Sequence, residues 1–369
     1  MRIGFDAKRY YLNSTGLGNY SRDLIRMLET YFPEHEYYKY TPKIPQQLRH
    51  NSNLINVKLP NTRLHKMFPS LWRNSGIVRD LRRDNIELFH GLSGEIPSGI
   101  LQSGIKSCVT IHDLIFLRYP EWYKPIDRIL YDRKFRYAAN NADKVIAISQ
   151  QTKNDIMGYY GVSADKIAVI YQGCHPAFKQ KRSTLEKEAL RQKYNLPSQF
   201  ILNVGSIEPR KNALQLVKAV ENLDIPLVLI GKETPYAATI KAYIQSKGLS
   251  HRIFILQGFT MDELATIYSM AEIFVYPSLF EGFGIPIIEA LYSGTPVITN
   301  RSGVFPEAGG PFSYYVDPQN TEEMAYAIES VLDNTSMREQ MVQKGLEYVS
   351  RFDDATIASQ MMDFYLSMK

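Results

Sequence analysis

The feature that most constrains the fold is a stretch at residues 273–299, which reads IFVYPSLFEGFGIPIIEALYSGTPVIT. Its apolar start at 273–276 predicts a buried strand. Pro286 suits the first turn of a helix, where a missing N–H costs nothing, and Gly294 suits the position just past a helix end. The next apolar run, at 295–299, predicts another strand. The stretch therefore predicts a strand–loop–helix–strand unit, and ligands bind at such strand ends in open parallel sheets.

Two carboxylates lie in this unit, Glu281 in the loop and Glu289 eight residues later in the helix. At about 100° per residue they are offset by roughly 80°, so both can face one side of the helix start. Glu289 stands among apolar residues, where an acid is seldom buried without a partner such as a sugar hydroxyl. The loop glycines permit close backbone approach, and a helix start favours an anion. The alternative, a solvated acid beside a core helix, stays open.

Bulk properties are those of a two-domain globular chain. The sequence has 369 residues, of which 44% are hydrophobic and 22% charged. No apolar run approaches the length of a membrane-spanning helix, and the N-terminus has no signal-peptide pattern. Cys108 and Cys174 are too few for a disulfide framework or a metal site built on cysteines. We therefore expect a reducing, cytoplasmic location.

Positive charge is concentrated in the first half of the chain. Residues 1–180 hold 26 Lys and Arg against 16 Asp and Glu, a net of +10, whereas residues 181–369 hold 17 against 22, a net of −5. Two basic stretches, 58–83 and 118–136, interleave cations with aromatic and apolar residues. Solvated helix faces explain this pattern, and so does contact with an anionic membrane surface. A nucleic-acid surface is disfavoured because no nucleic-acid motif accompanies the charge.

Strand-like and helical patterns alternate through the first half, which predicts a parallel sheet with helices on its faces. The runs typical of strands are 36–40, 53–59, 86–90, 107–112 and 144–149. Between the first strand and the first long helix lie Gly16 and Gly18, with Asn19 as a plausible N-cap. Glycines there commonly bring backbone amides to a phosphate, although a tight turn needs no function. The third glycine of a dinucleotide fingerprint is missing.

Two further sites combine a strand end with polar residues. His112 and Asp113 end the apolar run at 107–112, on the edge where ligands usually bind, although a lone histidine is more often structural. After a strand at 200–204, the segment GSIEPRKN places Arg210 and Lys211 side by side at a helix start. Adjacent cations repel each other unless they share an anion, and the pair suits a diphosphate.

These motifs together resemble the retaining glycosyltransferases of family 4. The two glutamates match the family's E-x7-E signature, the segment at 208–212 resembles E-P-x-K-[GN], and His112-Asp113 matches a His-Asp at the same strand end. The resemblance runs along nearly the whole chain. It implies an α/β chain of GT-B fold, in which two Rossmann-like domains with parallel sheets face each other across a cleft. We expect an acceptor-binding domain at 1–175, a nucleotide-sugar-binding domain at 176–351, and a C-terminal helix at 352–369 that crosses back to the first domain.

The resemblance also assigns roles to residues. His112 would meet the donor sugar, Glu281 with the amides of Phe283 and Gly284 would hold the hexose, and Glu289 would hold the ribose. Arg210 and Lys211 would stabilise the departing diphosphate, and one preorganised donor of this kind is worth about 3 kcal/mol. Many members have an arginine where this chain has Ser206, so Arg210 would supply that charge. Further substrate contacts are expected from the backbone of Gly16, Gly18, Gly258, Phe259, Gly284 and Ile285.

The reaction expected from this resemblance is hexosyl transfer with retention at the anomeric carbon. No D-x-D pair occurs in the sequence, so we expect neither a metal nor another cofactor. The residues of these motifs are most similar to those of bacterial mannosyltransferases of surface-polysaccharide assembly. This similarity favours GDP-mannose over a UDP-sugar as donor. The acceptor would be a glycan or a polyprenyl-linked glycan. The location would be cytoplasmic, with peripheral attachment to the inner face of the plasma membrane through the basic first domain.

Three other functions remain compatible with these patterns. A sugar-nucleotide epimerase on the same fold would use the same diphosphate site without an acceptor. A dinucleotide-dependent oxidoreductase is disfavoured because no G-x-G-x-x-G follows a strand. A non-catalytic carbohydrate-binding protein would bind nucleotide weakly and turn over none.

Overall fold

The computed structural model describes residues 1–46 and 54–369 and divides the chain into two compact units. Unit 1 comprises Met1–Gln172 and Asp353–Lys369, and unit 2 comprises Gly173–Phe352. The chain passes between the units at Gln172, whose side chain is hydrogen-bonded to His112 of unit 1. Phe178, a few residues later, packs against Tyr268 of unit 2. The first boundary is therefore three residues earlier than the sequence pattern predicts, and the last helix belongs to unit 1.

Unit 1 is built on a parallel sheet with the strand order β3-β2-β1-β4-β5-β6-β7 in its described part. The middle strands are buried on both faces, as expected of a parallel sheet covered by helices. The order reverses between β1 and β4, and the loops after these two strands diverge to form a crevice. The strands are β1 Arg2–Asp6, β2 Glu36–Tyr40, β3 Val57–Lys58, β4 Leu88–Gly91, β5 Lys106–Ile111, β6 Lys144–Ala147 and β7 Ile167–Val169.

Helices cover both faces of this sheet. The last helix packs on the first long helix, and Asp354 forms an ion pair with Arg26 at 2.8 Å. The apolar face of the last helix is buried. A π-helical turn at Trp72–Gly76 buries Trp72, whose ring nitrogen donates to Asp80. The helices of unit 1 are α1 Lys8–Leu12, α2 Gly16–Tyr31, α3 Arg63–Met67, α4 Pro69–Leu71, α5 Ile77–Arg83, α6 Ile115–Arg118, α7 Pro125–Asn141, α8 Gln150–Tyr160 and, at the end of the chain, α17 Asp354–Leu366; short 3₁₀ turns lie at Leu101–Ser103, Pro120–Trp122 and Ala164–Lys166.

Unit 2 repeats the plan with a second parallel sheet, in the order β10-β9-β8-β11-β12-β13. Here the reversal lies between β8 and β11. The strands are β8 Ile201–Val204, β9 Leu227–Ile230, β10 Ile253–Leu256, β11 Ile273–Tyr276, β12 Val297–Asn300 and β13 Tyr314–Val316. The helices are α9 Thr184–Tyr194, α10 Ala213–Ala219, α11 Ala237–Ser246, α12 Met261–Tyr268, α13 Ile285–Tyr292, α14 Phe305–Gly309, α15 Thr321–Asp333 and α16 Thr335–Val349, with 3₁₀ turns at Pro176–Lys179, Pro209–Lys211, Leu249–His251 and Ser350–Phe352.

The predicted fold class, an α/β chain of two Rossmann-like domains with parallel sheets, is confirmed. The expected strand–loop–helix–strand unit at 273–299 is present as β11, α13 and β12. Part of the predicted strand at 53–59 lies outside the described residues, and β3 is shorter than that run. The prediction of Asn19 as a helix cap is wrong. Helix α2 begins at Gly16, because Asn13 accepts hydrogen bonds from the amides of Thr15 and Gly18 and so anchors an earlier start.

Candidate active site

The crevice of unit 2 gathers charged residues from two loops. Arg210 and Lys211 follow β8, and Glu281 follows β11. Because these strands are neighbours in a parallel sheet, both loops leave from the same edge. The amide of Leu279 donates to the carbonyl of Arg210 at 2.9 Å, which ties the loops together. The sequence-predicted cations and the loop carboxylate therefore meet at one place.

One oxygen of Glu281 is the centre of this cluster. Its Oε1 accepts from Lys211 Nζ at 2.6 Å, from Arg210 Nη1 at 2.8 Å and from Ser278 Oγ at 2.6 Å. The Tyr276 hydroxyl donates to the same oxygen at 3.0 Å and accepts from Lys211 at 2.6 Å. Glu281 thus anchors both cations in this structure.

The cluster is largely but not fully buried, and its charges balance. Burial alone would raise the pKa of Glu281, but Lys211 and Arg210 outweigh burial and lower this pKa to about 2. Burial lowers the pKa of Lys211, and Glu281 opposes that change. Arg210 also donates to Glu208 Oε1 at 2.7 Å, so two acids neutralise two cations. Paired charges of this kind tolerate a low-dielectric site, whereas single charges do not.

Several N–H groups of the two cations remain available for a ligand. A guanidinium has five N–H donors and an ammonium has three. Arg210 gives two from Nη1, to Glu281 and to the carbonyl of Phe280, and one from Nη2 to Glu208. Within the described residues, no acceptor engages its Nε or the other proton of Nη2. Lys211 uses two of its three. The cluster can therefore offer three preorganised donors to an anion.

Backbone geometry fixes the direction of the two cations. They occupy a 3₁₀ turn at Pro209–Lys211 that Asn212 ends with a φ of 60°. Asn212 is buried, and its amide donates to the carbonyl of Pro318 at 2.6 Å. Ser206, which stands where many members of the resembled family have an arginine, accepts a backbone hydrogen bond from Glu208. Its own side chain brings no positive charge here.

Helix α13 begins beside Glu281. Gly284 precedes it with a φ of 113°, a conformation that favours glycine, and Pro286 lies in the first turn. No side chain caps this N-terminus. Phe283 is buried with its ring against Phe352, and Ile285 is half-buried, so only their backbone could face a ligand. This end of the helix therefore keeps the anion-binding character that the sequence predicts.

The second carboxylate of the pair has different surroundings. Glu289 is half-buried in α13, and its Oε2 accepts from the Tyr268 hydroxyl at 3.0 Å. Neither Arg210 nor Lys211 pairs with it among the described ion pairs. The structure thus joins Glu281 to the cations and gives Glu289 a neutral hydroxyl partner, which matches the chemistry expected for a group that binds further hydroxyls.

The loop between β10 and α12 carries the other predicted substrate contacts of unit 2. Gly258 is exposed with a φ of 89° and open space around its α-carbon. The ring of Phe259 contacts Tyr194 at 4.6 Å between centroids. Thr260 caps α12 through a capping box with Glu263. The loop is therefore held at both sides while the backbone at Gly258 stays accessible.

His112 in unit 1 is a half-buried, neutral histidine with both ring nitrogens engaged. Its Nε2 lies 2.9 Å from the carbonyl of Leu92, an acceptor, so this nitrogen carries the proton. Its Nδ1 then accepts from the Gln172 amide at 3.1 Å. Burial lowers the pKa of His112 to about 4. Such a ring can orient a substrate hydroxyl but is not charged near neutral pH.

A second histidine of unit 1, which is fully buried, was not predicted from the sequence. His90 ends the run at 86–90, and its ring bridges the Tyr365 hydroxyl at Nδ1 and Thr110 Oγ1 at Nε2, each at 2.7 Å. Thr110 also meets the Tyr20 hydroxyl at 3.0 Å, and the Tyr20 ring packs edge-on against His112. Burial lowers the pKa of His90 to about 3. A polar residue inside an apolar strand was the only sequence signal for this network.

Gly16 and Gly18 lie in the first turn of α2 rather than in a loop before it. The amide of Gly18 donates to Asn13 and Thr15, and a side chain at Gly18 would meet the carbonyl of Asn13. Gly18 is thus explained by packing, while Gly16 is exposed with open space around it. Their predicted contact with substrate stays a prediction.

Residues 1–46 and 54–369 contain neither a cluster of metal ligands nor a membrane-spanning helix. In those residues, no group of three or more His, Cys, Asp or Glu side chains is placed to hold a metal ion. None of the helices described there has both the length and the hydrophobicity needed to cross a bilayer.

Both halves of the chain match models of known protein families. Residues 14–178 match the family model described as Glycosyltransferase Family 4, and residues 186–348 match the one described as Glycosyl transferases group 1. O-antigen chain mannosyltransferase B of Escherichia coli is 28% identical over 287 residues, or 75% of this chain and 74% of that protein. The serotype-specific mannosyltransferase WbdA of Escherichia coli is 30% identical over 74% of this chain, which spans only 35% of WbdA.

Solved structures show the same fold at low sequence identity. HepE of Anabaena, crystallised in complex with UDP, has a TM-score of 0.78 at 19% identity, with 100% of each chain covered. WaaG, a glycosyltransferase involved in lipopolysaccharide biosynthesis, has a TM-score of 0.71 at 16% identity, with 99% of each chain covered.

Proposed function

Because this chain belongs to the glycosyltransferases, with a family 4 domain followed by a group 1 domain, we propose that it transfers a mannosyl group from GDP-mannose to a glycan acceptor. The transfer retains the configuration at the anomeric carbon and serves polysaccharide assembly. The relatives named as O-antigen mannosyltransferases support mannose, and WaaG, named for lipopolysaccharide biosynthesis, supports the glycan acceptor. The bound UDP in HepE supports a nucleotide-linked donor in general.

One observation carries this proposal: the Arg210, Lys211 and Glu281 cluster at the crevice of unit 2. Departure of a nucleoside diphosphate develops negative charge, and preorganised N–H donors stabilise it, each worth about 3 kcal/mol. Glu281 holds the two cations in place before the donor arrives, so they need not reorganise during the reaction. The side chains of this cluster and the start of α13 supply this stabilisation, so the reaction needs no divalent metal.

The roles of the remaining residues follow from their partners. Glu289, beside the Tyr268 hydroxyl, takes the ribose hydroxyls of the donor. His112 orients a sugar hydroxyl as a neutral ring, exchanging Gln172 for substrate at Nδ1. Retention without a side-chain nucleophile implies front-face attack, in which the leaving phosphate accepts the proton of the acceptor hydroxyl.

A donor-binding panel tests the proposal. The full chain is titrated calorimetrically with GDP, UDP, GDP-mannose and UDP-glucose, and we expect GDP-mannose to bind at least tenfold more tightly than UDP-glucose. The variant Lys211→Gln should weaken GDP about tenfold, the loss of one charge-assisted contact. Lys218→Gln, on the neighbouring helix α10, is the matched control. Equal affinities for all four ligands, or equal losses in both variants, would refute the assignment.

A turnover assay separates transfer from the alternative reactions. GDP release should depend on a mannan-type acceptor, survive EDTA treatment and give an α-linked product by NMR, the anomer of the donor. An epimerase would change the donor sugar without acceptor, and a binding protein would release no GDP. Inactivity after EDTA, restored by added divalent cation, would contradict the metal-independent mechanism.

We also propose peripheral contact with the cytoplasmic face of an anionic membrane through unit 1. Helix α3 exposes Leu64 and Met67 beside Arg63 and Lys66, and Phe68 follows. Basic residues near such a surface contribute about 1 kcal/mol each, and apolar side chains add insertion. Co-sedimentation with anionic vesicles should exceed that with neutral vesicles, and a Met67→Ser, Phe68→Ser double variant should reduce it. Equal sedimentation with both vesicle types would exclude this contact.

A further inference from the structure

Three aromatic rings of unit 2 form a column that begins beside helix α13. Phe283, just before this helix, packs edge-on against Phe352, with ring centroids 5.3 Å apart and an interplanar angle of 79°. Phe352 packs in the same way against Tyr348, at 5.9 Å and 76°. Phe283 and Phe352 are both buried. Edge-to-face pairs stabilise their geometry beyond the burial of apolar area, so this aromatic column has a defined arrangement.

The far end of the aromatic column contacts a second loop at the same edge of the sheet. The Tyr348 hydroxyl donates to the carbonyl of Glu307, in α14, at 2.8 Å. The backbone also approaches the Tyr348 ring closely at Gly310, where a side chain would meet the ring at 2.6 Å. The Arg351 guanidinium lies 5.1 Å and 5.7 Å from the ring centroids of Tyr348 and Phe352. The column therefore connects α13 with α14, which follow the neighbouring strands β11 and β12.

The start of α13 needs this support because its backbone is otherwise weakly fixed. Among the described residues, no side chain caps its first amides. Gly284 precedes the helix with a φ of 113°, and glycine has more conformational freedom than any other residue. The ring of Phe283 is the adjacent anchor, so its packing determines where the free N–H groups point.

Phe352 occupies a special place in the chain as well. It is the last residue of unit 2 before the chain passes to unit 1 at Asp353. The earlier passage has the same character, because Gln172, the last residue of unit 1 there, donates to His112. At each passage the last residue of a unit thus contacts a residue that the proposed function places at or next to the substrate.

We propose that Phe352 is a positioning residue for the start of α13. Through the ring of Phe283 it fixes the N–H groups that bind the terminal phosphate of the donor nucleotide. This phosphate carries the sugar, so it gains the negative charge when the sugar leaves, and a helix start stabilises such a charge. The inference rests on the proposed function and adds a residue that is too buried to touch the substrate itself.

Calorimetric titration of the full chain with GDP and GMP tests this role, because the two ligands differ only in the terminal phosphate. The unsubstituted chain should bind GDP at least about tenfold more tightly than GMP. Phe352→Leu should weaken GDP about fivefold, the value of one hydrogen bond, and change GMP by less than about twofold. Phe200→Leu is the matched control. Phe200 is also a fully buried phenylalanine of unit 2, but it precedes β8, at the edge of the sheet opposite the crevice.

Hydrogen–deuterium exchange of the ligand-free chain gives a second readout that needs no nucleotide. The amide of Ile287 donates to the carbonyl of Gly284 at 2.9 Å, in the first turn of α13. Phe352→Leu should speed the exchange of this turn, and Phe200→Leu should not.

Tyr348→Phe keeps the aromatic column and removes only the hydrogen bond to Glu307. Tyr348 is half-buried, so this variant should fold, and both readouts should shift in the same direction by a smaller factor. It decides the question if Phe352→Leu does not fold.

Equal losses of GDP and GMP affinity in Phe352→Leu would show a general loosening of unit 2 and would overturn the inference. Equal losses of GDP affinity in Phe352→Leu and Phe200→Leu would overturn it as well. If the unsubstituted chain prefers GDP and Phe352→Leu keeps the full preference, this inference alone fails. If the unsubstituted chain binds GDP no more tightly than GMP, the proposed donor site fails, and this inference fails with it.

Discussion

The two crevices of this protein contain the same arrangement in different surroundings. In unit 1, Arg73 lies between Asp6 and Glu95, and in unit 2, Arg210 lies between Glu208 and Glu281. Unit 2 adds Lys211 on the same carboxylate oxygen, so its centre is a compact set of four charges. Unit 1 instead contains two neutral histidines, the buried His90 and the half-buried His112, with hydroxyl, carbonyl and amide partners.

This difference indicates how each unit manages buried polarity. Unit 2 keeps its charges and neutralises them in pairs, which suits a site that receives a charged diphosphate. Unit 1 keeps its histidines uncharged, because burial disfavours the imidazolium form. The stabilities of the two units should therefore fall in different pH ranges and by different amounts on substitution, and four experiments can test this contrast.

Acid should give the largest effect and should act first on unit 1. The pKa values of His90 and His112 are about 3 and about 4, against 6.5 for an ordinary histidine. Between pH 6.5 and 4 the unfolded chain takes up protons that folded unit 1 excludes, so stability falls as pH falls. Each histidine contributes about 1.4 kcal/mol per pH unit in that window. Glu281, with a pKa of about 2 against 4.5, contributes stability that is lost only below pH 4.5.

The chain contains its own reporter for this experiment. Both tryptophans, Trp72 and Trp122, belong to unit 1, so their fluorescence follows that unit while far-UV circular dichroism follows the whole chain. Urea midpoints from fluorescence should fall between pH 6.5 and 4.5. His251→Gln, at an exposed position of unit 2, should leave that trend intact. A fluorescence midpoint that is constant over this range would show that unit 1 does not keep its histidines neutral.

Removing one carboxylate from each crevice gives the next largest contrast. Glu281→Gln leaves two buried cations with only Glu208, and breaking a buried pair costs about 3 kcal/mol. Glu95→Gln leaves Arg73 still bonded twice to Asp6, so we expect a loss of about 1 kcal/mol. Urea unfolding followed by circular dichroism and by fluorescence measures both. Equal losses of unfolding free energy in the two variants would mean that the additional contact of Glu281 with Lys211 does not contribute to stability.

The sequence predicts these contrasts only in part, and the reason is physical. Hydrophobic runs and the positions of glycine and proline determine where strands and helices alternate, so the sequence predicts the fold class. Arg210 and Glu281 each follow a strand, so the sequence also predicts that they lie at the same edge of the sheet. Partner choice depends on side-chain rotamers and on distances across the sheet. For that reason the sequence did not reveal that Oε1 of Glu281 accepts from four donors, and the contact with the hexose that the family resemblance implies for Glu281 stays a prediction.

Contacts between distant parts of the chain were the least predictable. The bond between His90 and Tyr365 joins residues 275 positions apart, and no local pattern encodes it. Helix α2 begins before Asn19 because Asn13 offers its side chain to two amides, a competition that propensity alone does not resolve. The cavity of about 730 Å³ in unit 1 likewise forms where two basic stretches that are far apart in the sequence, 58–83 and 118–136, come together.

Tyr365→Phe should have an intermediate effect, confined to unit 1. The change keeps the buried ring and removes the hydroxyl that pairs with His90 Nδ1, which leaves a buried nitrogen without its partner. Such a loss costs about 2 kcal/mol. The fluorescence midpoint in urea measures it, and Tyr31→Phe, at an exposed position of unit 1, is the control. If the two variants lose equal stability, the buried network is not a source of stability.

Substitution of Gln172 should give the smallest effect on stability and the clearest effect on chemistry. The Gln172 amide donates to Nδ1 of His112 and thereby favours the neutral ring protonated at Nε2. Gln172→Leu removes one donor and should cost about 1 kcal/mol. Gln172→Glu places a carboxylate beside Nδ1, which favours the imidazolium, so the pKa of His112 should rise from about 4.

Nitrogen-15 NMR of labelled histidine reads both the tautomer and the titration of His112 directly. The unsubstituted protein should show an unprotonated Nδ1 near neutral pH, and Gln172→Glu should move the titration to higher pH. Gln102→Glu, which adds the same charge at an exposed position of unit 1, should leave the titration in place. Since mannosyl transfer is proposed to use the neutral ring, the Gln172→Glu variant should also lose activity as pH falls, at a higher pH than the unsubstituted protein does. An unchanged titration would mean that Gln172 does not determine the protonation state of His112. Burial alone would then keep the His112 ring neutral.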